Sequence, residues 1–209
     1  MADHIFESYD TLAGFREASR WWRSMVGAIG DDRWDQAALG EWSVRELVAH
    51  TDRAYKTLID YTQGDVKDPT ILYSAAGYFR TVLAEETPHV HIAERARREA
   101  AERPDWMAAT DELGDLAEET VSGLPGEAPV HTFVGEMVLD QYLATRIVEL
   151  VVHGLDLSAA IDLPTPPPPG AARVVLTVLL DLAGADALGA VARLLTGRPA
   201  SLPLANVLA

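Results

Sequence analysis

From Ile147 to Leu155 the chain reads Ile-Val-Glu-Leu-Val-Val-His-Gly-Leu, an apolar run with one acid and one histidine set inside it. A stretch this apolar belongs in an interior, so the fold must be built around it. Its length, together with the flanking Asp140-Gln141-Tyr142-Leu143-Ala144, favours a helix over 136–161. The density of Val and Ile leaves a short buried strand as the alternative.

The remaining segments also carry helical spacing. Leu12, Phe15, Ala18, Trp22, Met25 and Val26 predict a helix over 8–29, stopped at Gly30. Ser43 and Glu46 have capping-box spacing, and Trp42 and Leu47 occupy the two positions of a hydrophobic staple. They predict a helix from Ser43 to about Tyr61, with Val44, Leu47, Val48, Thr51, Tyr55 and Leu58 on one side. Residues 34–40, 65–77 and 125–129 read as loop or irregular. A helix over 78–101 is expected to break near Pro88, and another runs over 105–121, ending before Gly123. The Pro164–Pro169 stretch is a stiff connector, followed by closing helices over 171–182 and 185–196 and a Gly197/Pro199 stop. No tandem repeat and no extended strand alternation occur. The fold class expected is all-α, a four-helix bundle with a short helical C-terminal appendage. The division expected is a helical bundle over 1–163, then a connector and packing helices over 164–209.

Composition narrows the function. The 209 residues suit one domain, and 32 acidic against 17 basic residues give a formal charge of −15. A surface this acidic repels a phosphate backbone, so nucleic acid is an unsuitable partner. No cysteine is present, which removes disulfides, thiolate zinc sites and a cysteine nucleophile of the protein's own. No run approaches ~18 apolar residues, and the polar first ten residues do not read as an export signal. A cytoplasmic protein without a membrane span is the expectation; the sequence does not fix an oligomeric state.

Any metal must therefore be held by His, Asp or Glu. Glu149 and His153 lie four apart, roughly 40° around a helix, and so share a face. A buried carboxylate is costly unless paired or ligated, and both groups suit zinc. The alternative is that Arg146 pairs with Glu149 while His153 bonds a backbone carbonyl. Of the other histidines, His4 lies in a terminus, His89 and His91 read first as surface residues with joint metal binding as the alternative, and His131 is uninformative. His50 falls at the edge of the inward face of the capped helix, where it is either a core histidine or a third ligand. Two histidines and one carboxylate would leave coordination positions open, as catalytic metals require. Arg146 either pairs with Glu149 or lines a pocket, and Asp156 either orients the His153 ring or caps a helix end. Arg95 and Arg97 either meet an anionic substrate or form a solvated face. Trp21 and Trp22 read first as core.

Two segments carry a family resemblance. Trp42-Ser43-Val44-Arg45-Glu46-Leu47-Val48-Ala49-His50 resembles the tryptophan-to-histidine signature of the DinB-like superfamily. The stretch from Tyr142 to Leu157, containing Arg146-Ile147-Val148-Glu149 and His153-Gly154-Leu155-Asp156, is similar to the second signature of its mycothiol-dependent maleylpyruvate isomerase branch. Leu195-Thr196-Gly197-Arg198-Pro199 with Leu202-Pro203 resembles the ends of members. The resemblance implies a DinB-type four-helix bundle around one divalent metal, usually zinc, with ligands at His50, Glu149 and His153. It also implies mycothiol as cosubstrate. Some members isomerise maleylpyruvate and others transfer the thiol to electrophiles. Members with the isomerase architecture can carry a further α/β domain, and a full one is not expected within these 209 residues.

The expectation is thus a metal-dependent mycothiol S-transferase or isomerase acting on a small electrophile. The competing expectation is a non-catalytic metal-binding bundle of the same superfamily. Metal-assisted hydrolysis lacks a general base, because Glu149 is used as a ligand and no His-Glu-x-x-His pattern occurs in this helix.

Overall fold

The computed structural model describes residues 2–65, 70–84, 89–101 and 105–201. Its elements run α1 (Ser8–Val26), β1 (Ala37–Leu39), β2 (Trp42–Ser43), α2 (Val44–Thr51), α3 (Arg53–Gln63), α4 (Ala75–Ala84), α5 (His89–Ala101), α6 (Trp106–Ser122), β3 (Pro129–Thr132), β4 (Gly135–Val138), α7 (Leu139–Ala160) and α8 (Pro169–Leu195). The chain is mostly helical, and its strands form two small antiparallel hairpins, β1–β2 and β3–β4.

The apolar run is α7, not a strand, and α7 is the centre of the fold. It packs against α1, α2, α3, α4 and α8. Tyr142, Leu143, Ala144, Ile147, Val148, Leu150, Val151 and Leu157 are all buried along it. Helix α1 packs on both α6 and α7, and α3 also packs on both α6 and α7. Arg23 clamps α1 to α6 through Asp111 at 2.7 Å and Asp115 at 2.8 Å. Helix α8 lies on α1, α4 and α7 and adds Ala171, Val174, Val175 and Val178 to the same core.

Several boundaries differ from the sequence reading: α1 ends at Val26 and not Ile29, and α4 begins at Ala75, inside the stretch read as irregular. The helix expected over 43–61 is two helices, broken at Asp52. The carboxylate of Asp52 is fully buried and accepts hydrogen bonds from Trp22 Nε1 at 2.9 Å and Thr110 Oγ1 at 2.7 Å. Those partners sit on α1 and α6, so a tertiary contact marks the corner. The helix expected from residue 136 begins at Leu139, because 135–138 pairs with 129–132 as β4. Thr70–Leu72 extends that hairpin: Leu72 N–H donates to the Glu136 carbonyl at 2.8 Å and Glu136 N–H to the Thr70 carbonyl at 2.7 Å. The 34–40 loop holds the short strand β1.

The capping box and the two closing helices are met as read. Ser43 caps α2 by accepting from Glu46 N–H, and Glu46 returns a bond from Ser43 N–H at 2.8 Å. The two closing helices are the halves of α8, interrupted at Gly184, whose φ of 81° only glycine adopts readily. Helices α4 and α5 stand either side of the expected break, which lies outside the described residues, as do Pro104, Leu202 and Pro203.

Candidate metal centre

The site begins with two well-determined helices. The capping box and the buried Val44, Leu47 and Val48 fix α2, which carries His50 in its last turn. The Trp42 ring lies against the His50 ring, inclined at 52° with centroids 4.6 Å apart. Helix α7 carries Glu149 and His153 one turn apart. Gly154 lets α1 approach that turn closely, because a Cβ there would overlap the Trp21 ring. Trp21 and Trp22 are core residues, 7% and 0% exposed.

Helix packing then brings α2 onto α7. The His50 and His153 rings meet edge to face, 5.0 Å between centroids. One ligand atom each from His50, Glu149 and His153 lies within 4.8 Å of the others. His153 Nε2 is 3.5 Å from Glu149 Oε2, close to the roughly 3.3 Å edge of a tetrahedron of zinc ligands at ordinary bond lengths. Two imidazoles and a carboxylate, all half-buried and drawn from two packed helices, fit a divalent cation with positions left open.

Electrostatics couple the group. Burial alone would raise the Glu149 carboxyl, but the hydrogen bond from His153 and the charge of Arg146 outweigh it and hold the group down at about 2. Burial likewise works against a charged His153. Hydrogen bonds to Asp156 and Glu149 win and lift it to about 9. His153 Nδ1 meets Asp156 Oδ2 at 3.1 Å, so Asp156 orients the ring and leaves Nε2 facing Glu149.

Arg146 is buried, 6% exposed, with Nη2 3.9 Å from Glu149 Oε1. Its Nε donates to Thr145 Oγ1 at 3.1 Å and its Nη1 to Thr57 Oγ1 at 3.4 Å. The guanidinium carbon stands 4.7 Å from the Tyr142 ring centre and 5.7 Å from that of Tyr78. Arg97 is placed elsewhere, at the start of α2, 3.4 Å from Glu46 and 3.6 Å from Glu41. The side chains of Arg95, His89 and His91 lie outside the described residues. His131 pairs with Glu136 across the β3–β4 hairpin at 3.1 Å, and His4 is exposed.

Sequence reasoning missed Asp52 and the tyrosines around Arg146. The spacing of Tyr142 and Arg146, four apart on one helix, was a usable signal for the latter. Tyr78 and Thr57 reach the group only through packing of α4 and α3. A separate cavity of about 280 Å³ lies between the N-terminal segment, α1 and α8, and shares none of the cluster's residues.

The family model for the mycothiol maleylpyruvate isomerase N-terminal domain matches residues 15–158. The chain belongs to this family. The matched span holds α2, α7 and all three clustered residues, while α8 lies beyond it. No curated protein and no solved structure matches the chain. Family membership joins the chain to DinB-like, mycothiol-related, metal-binding proteins, and among the described residues no helix is long and apolar enough to cross a membrane.

Proposed function

We propose that this protein is a metal-dependent mycothiol S-transferase or isomerase, with His50, Glu149 and His153 holding one divalent cation, zinc for preference. The observation that carries the reading is the convergence of those three donors from α2 and α7 in a chain of this family. The neighbour pattern of α1, α7, α3 and α6 supports reading the core as a DinB-type four-helix bundle. A cytoplasmic location accords with use of a low-molecular-weight thiol.

A bound cation with an open position supplies Lewis acidity, which favours thiolate over thiol at neutral pH. The protein's residues prepare that position. Asp156 keeps a proton on His153 Nδ1, so that Nε2 serves as the donor. Glu149 stays ionised at neutral pH, held low first by the hydrogen bond from His153. The buried apolar residues of α7 beside the half-buried cluster lower its local dielectric and strengthen the charge interactions there. The thiolate is the reactive form toward an electrophile. Addition to a cis double bond forms a C–S bond and leaves a single bond free to rotate; expulsion of the thiolate then restores the alkene as its isomer. Addition followed by protonation of the carbon stops at the thioether.

The test is isothermal titration of mycothiol into zinc-loaded protein, metal-stripped protein and the His153→Ala variant. Binding to loaded wild type alone supports the reading. Equal failure of all three at millimolar thiol refutes it and leaves the non-catalytic metal-binding bundle as the better account.

A further inference from the structure

The charge balance around the cluster isolates one residue. The charged and titratable groups facing it are His50 from α2, Tyr61 from α3, Tyr78 from α4, and Tyr142, Arg146, Glu149, His153 and Asp156 from α7. Both Tyr78 and Tyr142 hold their protons, because burial pushes each phenol up. Neutral imidazoles add no charge when they act as ligands. A dication beside the Glu149 and Asp156 carboxylates would therefore sum to zero. The guanidinium of Arg146 is what makes that set positive.

Arg146 is suited to this task. Its charge is permanent, and the aromatic faces of Tyr78 and Tyr142 favour the cation. Its two threonine hydrogen bonds are to neutral oxygens, and its nearest carboxylate is the 3.9 Å contact with Glu149. Once Glu149 shares its charge with a metal, the guanidinium is left under-compensated in a low-dielectric interior, where its field reaches furthest. We propose that Arg146 is a specificity-determining residue: its caged charge makes the centre select an anionic ligand over the neutral form of the same ligand. The inference rests on the metal reading of His50, Glu149 and His153. It goes beyond that reading by assigning the preference for an anion to a residue outside the ligand set.

The test uses cobalt-loaded wild type, Arg146→Met and Arg146→Lys, with azide as a simple anionic probe followed by visible absorption. Metal affinity is measured in parallel by competition with a chromophoric chelator. The expected result is an azide affinity about tenfold weaker in Arg146→Met, restored in Arg146→Lys, with metal affinity undiminished in both. With mycothiol as the probe, the pH midpoint of binding should rise by about one unit in Arg146→Met, the same tenfold effect. Unchanged azide affinity in Arg146→Met overturns the proposal. So does a loss that lysine fails to restore, or a parallel collapse of metal affinity, which would make Arg146 a support for Glu149 instead. Arg146-dependent azide binding without mycothiol binding would sink the thiol chemistry while leaving this inference standing.

Discussion

Replacing Gly154 by alanine sets two effects of opposite sign against each other. In a helix interior the change gains about 1 kcal/mol from propensity alone. Here the added methyl would sit 2.7 Å from Trp21 Cη2 and 2.9 Å from Met25 Cε, well inside ordinary contact. Trp21 is 7% and Met25 1% exposed, so the rigid indole has no room to swing out and the Met25 thioether can yield only within the core. Overpacking of this kind costs about 1–3 kcal/mol, and the overlap with the rigid indole places it at the upper end. The net effect is a loss of roughly 1–2 kcal/mol, or a fall in Tm of about 2–8 °C for a chain of this size. Because His153 is the adjacent residue, metal affinity should fall with it. The assay is thermal unfolding by circular dichroism with and without metal, beside a Gly189→Ala control. Gly189 lies in α8 with nothing within 4 Å of its added Cβ, so that variant should be as stable as wild type or slightly more. A Gly154→Ala protein as stable as the control would refute the close-approach argument.

Asp52→Ala should cost about 3–5 kcal/mol, because it strips Trp22 Nε1 and Thr110 Oγ1 of a buried charged acceptor. It should also weaken metal binding, since His50 precedes it by two residues; Asp52→Asn, which can still accept from Trp22, should lose less in denaturant titration. In metal-free protein the His153 proton stabilises the fold fully below about pH 6.5 and is lost as pH rises through about 9. The Glu149 charge contributes above about pH 4.5 and is lost as pH falls toward about 2. The Tm advantage of wild type over His153→Gln should therefore decline between pH 6.5 and 9. Metal must displace that His153 proton, so affinity should rise about tenfold per pH unit below about 9. Calorimetry in buffers of different ionisation enthalpy reads the released proton; a buffer-independent heat at pH 7 would contradict a protonated His153.

The sequence alone determined the elements whose causes are local. The Ser43–Glu46 box starts α2 because its reciprocal bonds lie within four residues. The apolar run of α7 could only be interior, and its four-residue spacing put Glu149 and His153 on one face. The tryptophan-to-histidine and Glu149-to-His153 signatures carried the family, which the match over residues 15–158 shows. Tertiary structure decided what depends on distant partners. The corner at Asp52 exists because α1 and α6 offer Trp22 and Thr110, which no local pattern around residue 52 encodes. Residues 135–138 became β4 because 129–132 and Thr70–Leu72 lie alongside, where hydrogen bonds across strands outweigh continuation of α7. Packing also arranged the residues of the site. It set His50 against His153 across the α2–α7 interface and gave the His153 ring to Asp156. It enclosed Arg146 between tyrosines from α4 and α7, a charge environment that helical spacing could only half suggest.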